Sequence, residues 1–301
     1  MSFFVAYHPV YVHAVPEGHR FPMAKYQLLH QQIQLEGLLE ESDFLVPQPI
    51  DLQHVLRVHT ADYVDRLIGL QCTPREQRVS GFEHNKELIE RELVIMEGTR
   101  LCAEKVSEQG GIALNIAGGT HHAYTDRGEG FCLLNDQAIA AQWLLDSGRA
   151  NRILIVDLDV HQGNGTAEIF SRQPQVFTFS MHGSANYPLK KEESDLDIHL
   201  ATGMEDQTYL EILKRELSSV LQRFEPDFVF YQCGVDVLET DQLGKLSLSV
   251  QGVRERDYTV LKTFRDSQIP VVCSMGGGYS KELRLIVEAH MNTFRLAQFL
   301  T

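Results

Sequence analysis

The segment ILIVDLDVHQGNG, residues 153–165, indicates both the fold class and the position of a site. Apolar residues 153–156 run directly into Asp157, Asp159 and His161. On an extended strand these three side chains share one face, because residues i, i+2 and i+4 point the same way. Two carboxylates and an imidazole at the end of a buried strand are costly unless they are paired or bind a cation. They suit zinc or another divalent metal, with a buried salt-bridge network as the alternative.

Short apolar runs followed by turn residues recur along the chain, at 3–6, 112–115, 153–157, 176–181, 228–232 and 271–274. Segments with helical spacing lie between them, at 86–107, 136–147, 206–223, 250–264 and 281–299. This alternation predicts a parallel sheet covered by helices on both faces. In such sheets ligands bind beyond the carboxyl ends of the strands. No fixed repeat and no Pro/Gly/Ser-rich linker divides the 301 residues, which favours a single domain.

Composition excludes several classes of partner. The formal net charge is −14, which makes phosphate-backbone binding unfavourable. It indicates either simple solubility or attraction of a cationic substrate such as a lysine-rich tail or a polyamine. No apolar run reaches the roughly 18 residues of a membrane span, and the first residues lack the pattern of a secretory signal. The five cysteines are scattered without a CxxC pair, so we expect a reduced, cytoplasmic protein with no nucleic-acid or membrane partner.

Three further segments place polar residues after predicted strands. Asp236 follows the run 228–232 and is interpreted either as a helix cap or as a third metal ligand, the number typical of catalytic zinc sites. The adjacent His121 and His122 follow paired glycines and indicate either acid–base catalysis or an unremarkable loop. Tyr279 follows three glycines, and its phenol could stabilise an oxyanion or simply pack in a turn. The acidic stretch 192–197 is interpreted as a solvated turn, with a position near the mouth of a substrate channel as the alternative.

Taken in order, these motifs resemble the histone deacetylase superfamily, in particular its bacterial and class IV members. The matching text is GGTHHA (118–123), GFCLLND (130–136), VDLDVHQGNG (156–165), QCGVD (232–236) and GGGY (276–279), with GHRFPMAKY (18–26) and SDLDIHL (194–200) as supporting stretches. The resemblance covers essentially the whole chain. It implies one catalytic domain over residues 1–301, with a mostly parallel, eight-stranded α/β sheet of the arginase/deacetylase type and helices on both faces.

The resemblance also implies an activity: zinc-dependent hydrolysis that removes an acetyl or longer fatty acyl group from an amine. The expected substrate is acyl-lysine in a protein or peptide, with an acetylated polyamine or another small acylated amine as the alternative. The implied zinc ligands are Asp159, His161 and Asp236. A zinc ion acidifies bound water to a pKa near 7, and a nearby imidazole can take the proton.

The remaining roles follow from the same resemblance. Asp157 supports the site and hydrogen-bonds His121, His122 is the general base, and Tyr279 polarises the scissile carbonyl. Many family members place Asp at the position of Asn164, behind the second histidine. An amide stabilises imidazolium less than a carboxylate does, so we expect His122 to remain neutral more readily.

Substrate-channel and potassium positions are likewise implied by resemblance. Gly130 and Phe131 match one channel wall, and Tyr187 is aligned with the other. Potassium is expected near the active site, at the positions Asp157, Asp159, His161, Ser180 and Met181, with a second ion at Phe170, Gln173 and Val176.

Three other functions fit the sequence less well. Residues 163–168 read GxGxxE, so the third glycine of a dinucleotide-binding turn is missing. A non-catalytic acyl-lysine binder would have lost a ligand, a histidine or Tyr279, and all are present. Dinuclear manganese ureohydrolases need further carboxylates where this chain has Gly163 and Leu238.

Overall fold

The structure is a computed structural model that describes residues 2–301. Its seven strands form one sheet in the order β1-β2-β7-β6-β3-β4-β5. The strands are β1 (Phe3–Ala6), β2 (Ile112–Asn115), β3 (Ile153–Asp157), β4 (Val176–Gly183), β5 (Leu196–Leu200), β6 (Phe228–Gln232) and β7 (Val271–Ser274). All six strand pairs are parallel, so every carboxyl end lies at the same edge of the sheet.

Ten α-helices connect the strands of residues 2–301 and cover the sheet. They are α1 (Lys25–Leu35), α2 (Leu52–Val55), α3 (Ala61–Ile68), α4 (Pro74–Ser80), α5 (Lys86–Gln109), α6 (Asp136–Asp146), α7 (Asn164–Phe170), α8 (Asp206–Phe224), α9 (Val250–Asp266) and α10 (Leu283–Leu300). Helix α5 packs on α6 and contacts β1, β2 and β7, while α9 packs between α8 and α10. Every residue of β2, β3, β6 and β7 is buried, which requires that both faces of the sheet be covered.

Local capping explains where several of these helices begin. The side chain of Asn85 accepts a hydrogen bond from the Leu88 amide at the start of α5. Ser249 does the same for Gly252 at the start of α9. Such caps satisfy amides that have no partner within the helix. No helix within residues 2–301 combines the length and the apolarity that a membrane crossing needs.

The single α/β domain with a parallel sheet is confirmed, but the expectation of eight strands is wrong. Next to β1, where an eighth strand could pair, the chain makes only an isolated parallel bridge between Ala6 and Leu45. Pro47 and Pro49 follow shortly after Leu45. Proline has no amide hydrogen to donate, so the prolines disfavour extension of this bridge beyond Leu45 in the C-terminal direction.

The six apolar runs correspond to six of the seven strands, whereas β5 was not predicted as a strand. Leu196 and Asp197, interpreted as part of a solvated turn, pair in register with Phe179 and Ser180 of β4. The strand lies at the edge of the sheet, and its first four residues are only partly buried or exposed. An edge strand of this kind lacks the continuous apolar run that marks the central strands.

Candidate active site

Four neighbouring strands bring the sequence motifs together at the carboxyl edge of the sheet. Strands β2, β7, β6 and β3 are adjacent in that order. Their ends lead into the segments 116–123, 275–279, 233–236 and 158–164, which carry the histidine pair, Tyr279, Asp236 and the Asp159/His161 cluster. The parallel topology therefore juxtaposes residues that are more than 150 positions apart in sequence.

Asp159, His161 and Asp236 form the one group of three or more potential metal-binding side chains found within residues 2–301. One ligand atom from each lies within 4.8 Å of the others, and all three residues are buried. The Nδ1 atom of His161 is 3.1 Å from Oδ1 of Asp159 and 3.0 Å from Oδ2 of Asp236. Both carboxylates therefore face the same imidazole nitrogen.

Strand β3 ends at Asp157, earlier than the alternation argument assumed. The chain bends within residues 158–163 instead of continuing as a strand. In this bend the Asp159 amide donates to the Asp157 carboxylate (3.1 Å), and the His161 amide donates to the Asp159 carboxylate (3.0 Å). These side-chain turns, not strand alternation, direct Asp159 and His161 towards Asp236. Asp157 is directed elsewhere, towards His121.

The electrostatics of this cluster fit a divalent cation. Burial, together with the nearby Asp159 carboxylate, raises the pKa of Asp236 to about 7. Although burial opposes the charged form, hydrogen bonds to Asp159 and Asp236 raise the pKa of His161 to about 10. Two buried carboxylates thus draw positive charge into the cluster, and one imidazole and two carboxylates are a donor set that zinc accepts.

Glycines allow the ligands to approach the backbone closely. The amide of Gly277 donates to Oδ2 of Asp159 at 2.9 Å. A Cβ atom at Gly277 would collide with the Asp236 carboxylate. The glycine run after β7 is therefore a steric requirement of the carboxylate cluster.

His121 and His122 point to different partners. Nδ1 of His121 lies 2.7 Å from Oδ2 of the buried Asp157. Despite the opposing effect of burial, Asp157 and Asp159 raise the pKa of His121 to about 9. His121 is thus cationic near neutral pH, with Asp157 as its counter-ion.

His122 belongs to a chain of hydrogen bonds that leads away from the site. Its Nδ1 atom lies 2.6 Å from Oδ1 of Asn164, and the Asn164 amide donates to the hydroxyl of Tyr124 at 2.9 Å. The Tyr124 hydroxyl in turn donates to Glu192 at 3.2 Å. Since an amide oxygen can only accept, Nδ1 of His122 carries the proton and Nε2 keeps a free lone pair.

Burial, followed by the positive charges of His121 and His161, holds the pKa of His122 well below its usual value. The two adjacent histidines therefore differ in charge at neutral pH, with His121 protonated and His122 neutral. Burial and the neighbouring cations cause this lowering, whereas the hydrogen bond to Asn164 acts in the opposite direction, so the influence of Asn164 on the charge of His122 stays a prediction.

Two cavities share several of these residues in their linings. The inner cavity, of about 30 Å³, is lined among others by Asp159 and Gly277. The outer cavity, of about 400 Å³, opens towards solvent. Both are lined by His122, His161, Phe131 and Tyr279. Burial and the carboxylates of Asp236 and Asp159 raise the pKa of Tyr279 well above its usual value, so its phenol stays a hydrogen-bond donor.

Phe131 and Tyr187 flank the outer cavity. Phe131 has a positive φ of 68°, uncommon for a residue with a bulky side chain, and its amide donates to the Ser80 carbonyl at 2.8 Å. The ring of Tyr187 lies 5.0 Å from that of His122, nearly perpendicular to it. A Cβ atom at Gly130 would lie 2.7 Å from the His122 ring, so this glycine makes room for the imidazole.

Comparison with known proteins agrees with this geometry. The family model described as Histone deacetylase domain matches residues 19–294. This chain belongs to the histone deacetylase family. Membership in the histone deacetylase family places the chain among the deacetylases, which are hydrolases.

Individual relatives of the histone deacetylase family match along most of the chain. An uncharacterized protein of Picosynechococcus sp. is 45% identical over 298 residues, 99% of each chain. Histone deacetylase 2 of Arabidopsis thaliana is 29% identical over 286 residues, covering 92% of this chain and 74% of that protein. A crystal structure of a histone deacetylase homologue from Aquifex aeolicus has a TM-score of 0.85 at 24% identity, over 99% of this chain and 84% of that one, and supports the fold.

Arg256, on helix α9, is a residue of this histone deacetylase site that sequence reasoning missed. It is fully buried and pairs with Asp257 at 2.8 Å. Its guanidinium also donates to the carbonyls of Gly234 (2.6 Å), Cys233 (3.2 Å) and Leu158 (3.2 Å). Arg256 thereby ties together the two strand ends that carry Asp159 and Asp236. A charged residue among apolar positions of a helix was the available signal.

Asp136, at the end of the GFCLLND motif, was also missed. Its Oδ1 atom accepts hydrogen bonds from the Gly119 amide (3.0 Å), the Thr120 amide (2.8 Å) and the Thr120 hydroxyl (2.8 Å). Oδ2 accepts from Thr99 and Ser274. Asp136 fixes the loop that presents both histidines of the histone deacetylase motif.

The potassium positions stay a prediction. Asp157 and Ser180 are register partners in β3 and β4, and the Ser180 hydroxyl lies 2.9 Å from Nδ1 of His182. Phe170 is the last residue of α7 and Gln173 lies in the turn before β4, where the Gln173 amide donates to the Phe170 carbonyl and the Val176 amide to the Gln173 carbonyl. Met181 lies in β4 itself.

Proposed function

We propose that residues 1–301 form one catalytic domain that hydrolyses the amide of an acylated amine in a zinc-dependent reaction, with acetyl-lysine as the substrate. One observation carries the proposal. A neutral imidazole, a protonated phenol and two members of the Asp159/His161/Asp236 cluster, Asp159 and His161, line the inner cavity, and Asp236 lies directly behind them. Metal-assisted hydrolysis needs these three parts: a base, an oxyanion donor and a metal centre.

In this proposal Asp159, His161 and Asp236 hold the metal. A zinc ion there would supply Lewis acidity, which polarises the acyl carbonyl and lowers the pKa of water. The chain contributes three buried ligands. The carboxylates of Asp159 and Asp236 are held in place by hydrogen bonds that they accept from backbone amides. Such preorganisation avoids reorganisation cost during the reaction.

His122 acts as the general base. Its Nε2 atom takes a proton from the attacking water, and its Nδ1–H remains bound to Asn164. The imidazolium that forms has no carboxylate in direct contact, since its partner is an amide, so it readily gives the proton onward. His122, with the cationic His121 beside it at a ring distance of 4.1 Å, then protonates the leaving amine.

Tyr279 stabilises the acyl oxygen as it becomes negative. Its raised pKa keeps the hydroxyl hydrogen in place near neutral pH. Phe131 and Tyr187 provide aromatic walls for the apolar stem of the amine, which buries its methylene groups and excludes water. Phe131 and Tyr187 therefore bind the substrate, and the two histidines carry out the proton transfers.

The sizes of the two cavities favour a short acyl group. The outer cavity opens to solvent and takes the amine-bearing part of the substrate. The acyl group then lies in the inner cavity, whose volume is about 30 Å³. A two-carbon acyl group would displace little of this lining, whereas a long fatty acyl chain needs a cavity that residues such as Tyr26 and Ile95 would have to open.

The test is amine release from acetyl-lysine peptide by zinc-loaded protein, chelator-treated protein and a His122→Ala variant. We expect turnover only in the zinc-loaded native protein. Turnover that survives both chelation and the loss of His122 would contradict the proposal. Acetylated polyamines, measured in parallel, distinguish the alternative small-amine substrate.

A further inference from the structure

The outer cavity has an unexpected charge. Its lining includes two cationic side chains, Arg20 and Lys245, beside the apolar Val79, Leu189 and Leu243. None of its lining residues is an aspartate or a glutamate. The chain as a whole has 41 acidic and 27 basic residues, so a random patch of its surface would contain more carboxylates than cations. The outer cavity, which forms the mouth of the site, therefore has a positively charged lining, whereas the chain as a whole is negatively charged.

The carboxylates nearest to this mouth are already bound. Glu129, next to Gly130, pairs with Arg127 at 2.8 Å and accepts a hydrogen bond from the Tyr187 hydroxyl. Asp241 accepts hydrogen bonds from three backbone amides, those of Leu243 (2.8 Å), Gly244 (2.8 Å) and Tyr279 (2.6 Å). Neither acid pairs with Arg20 or Lys245, so the two cations keep their charge for another group.

The backbone at Arg20 is anchored by contacts of the flanking residues His19 and Phe21. The guanidinium of Arg20 itself has no partner. His19 lies 2.9 Å from the Gly81 carbonyl and accepts a hydrogen bond from the Phe21 amide at 3.1 Å. The rings of His19 and Phe21 both pack on the channel residue Phe131. Within residues 2–301, the Arg20 side chain makes no hydrogen bond or ion pair. An exposed, unpaired guanidinium carried on this anchored segment can bind a carboxylate with two parallel hydrogen bonds.

Lys245 adds a second, partly free cation on the same cavity. Its ammonium donates one hydrogen bond, to the Ala185 carbonyl at 2.8 Å. An ammonium group has three donors, so two remain for a ligand. The cavity that holds both cations also includes His122 and Tyr279, so an anion bound there and the scissile amide can belong to one molecule.

We propose that the substrate carries a carboxylate close to the acylated amine, and that Arg20, assisted by Lys245, binds it. The group that fits is the free α-carboxylate of an Nε-acetyl-lysine, as the amino acid or at the carboxyl terminus of a peptide. This inference rests on the proposed function and narrows it. An acetylated polyamine has no anion to offer, and its remaining ammonium groups are repelled at this mouth.

The experiment compares matched substrates on matched variants. Nα-blocked Nε-acetyl-lysine with a free carboxylate, the same compound as its carboxamide, and acetylspermidine are assayed with zinc-loaded native protein, Arg20→Gln and Lys245→Gln. Arg75→Gln is the control, because Arg75 is an exposed arginine that lines neither cavity. It removes the same charge without touching the mouth.

The carboxylate compound is expected to have a kcat/KM about tenfold above that of the carboxamide, as a charge-assisted hydrogen bond gives. Arg20→Gln should abolish this preference by raising KM for the carboxylate compound much more than KM for the carboxamide. Lys245→Gln should reduce the preference, and Arg75→Gln should not alter it. Equal rates for carboxylate and carboxamide, or an equal loss on both in Arg20→Gln, would overturn the inference. Faster turnover of acetylspermidine would do the same.

A binding measurement separates this inference from the proposed function. Calorimetric titration of the zinc-loaded His122→Ala variant, with and without Arg20→Gln, with the carboxylate and carboxamide compounds reports binding at the mouth in the absence of turnover. Tighter binding of the carboxylate with no turnover by native protein supports the anion site and rejects the deacetylase. Turnover by native protein, combined with equal binding of the carboxylate and the carboxamide, would support the deacetylase activity and reject the anion site.

Discussion

The Nδ1 atom of His122 lies 2.6 Å from the amide oxygen of Asn164, so a neutral group stands directly behind the proposed base. A carboxylate at this position would stabilise the imidazolium and raise the pKa of His122. In Asn164→Asp we therefore expect the acid limb of the kcat/KM profile to move to higher pH by about one unit.

The sign of this shift follows from the protonation state that works. The base must be neutral, and in the native protein the pKa of His122 lies well below 6.5, so activity should persist below pH 6.5 and fall only at lower pH. Raising the pKa brings that fall closer to neutrality. The measurement is kcat/KM against pH for both proteins on acetyl-lysine peptide. A profile that is unchanged or moves to lower pH would show that Asn164 does not set the charge of His122.

Replacing His122 by alanine should lower kcat by about 10²–10⁴-fold, the usual contribution of a general base. Folding and metal content should not change, since the Asp159/His161/Asp236 cluster is intact. Circular dichroism and metal analysis provide those two controls, and steady-state kinetics the main result. A loss of less than tenfold would assign the base to another residue.

Chelation should abolish activity, and added Zn²⁺ should restore it. Zinc should also stabilise the native chain, because the ligands are assembled only in the folded state. At a free zinc concentration 100 times Kd, the free energy of unfolding should rise by about 2.7 kcal/mol. Thermal unfolding with and without zinc measures this, and Asp236→Asn serves as the variant in which the increase should be lost or strongly reduced.

Acyl-chain preference should follow the inner cavity. Because that cavity has a volume of about 30 Å³, we expect acetyl-lysine to be hydrolysed at least about tenfold faster than myristoyl-lysine, a difference of 1.4 kcal/mol. Octanoyl-lysine should fall between them. Comparable rates on all three peptides would mean that the cavity opens to admit the long chain.

Arg256→Met should lower the free energy of unfolding by about 3–5 kcal/mol, because it leaves the buried Asp257 without its counter-charge. Three backbone carbonyls at the ends of β3 and β6 also lose a donor. Arg254→Met, at an exposed position of the same helix, is the matched control and should change stability by less than about 0.5 kcal/mol. Denaturant titration compares them, and equal effects would contradict a special role for Arg256.

The sequence was informative where local pattern and chemistry coincide. The central strands are continuous apolar runs, and their predicted bounds match β1, β2, β3, β6 and β7. Edge strand β5 has no such run, because Asp197 and His199 interrupt it. The eighth strand was carried over from the resemblance, whereas this chain forms only the single bridge between Ala6 and Leu45 at that edge, followed by prolines.

The sequence predicted which residues belong to the site, but not which hydrogen-bond and ion-pair partners each of them has. Asp159 and His161 were placed with Asp236 for the wrong geometric reason, since a bend replaces the strand alternation. The partnership of Asn164 with Tyr124 and Glu192 depends on loops that are distant in sequence. Arg256 donates hydrogen bonds to backbone carbonyls. Every residue has a backbone carbonyl, so the sequence does not indicate which ones will be the partners. These relations arise only from tertiary packing.

The all-parallel sheet has a consequence for how this chain can change over evolutionary time. The proposed chemical residues are attached to strand ends that the core holds rigid, whereas Arg20, Leu189 and Lys245 belong to segments outside the strands. Mutation of those outer segments can alter which amine is accepted without moving the reactive groups. Selectivity for the amine and reactivity towards the amide are therefore physically separable in this fold.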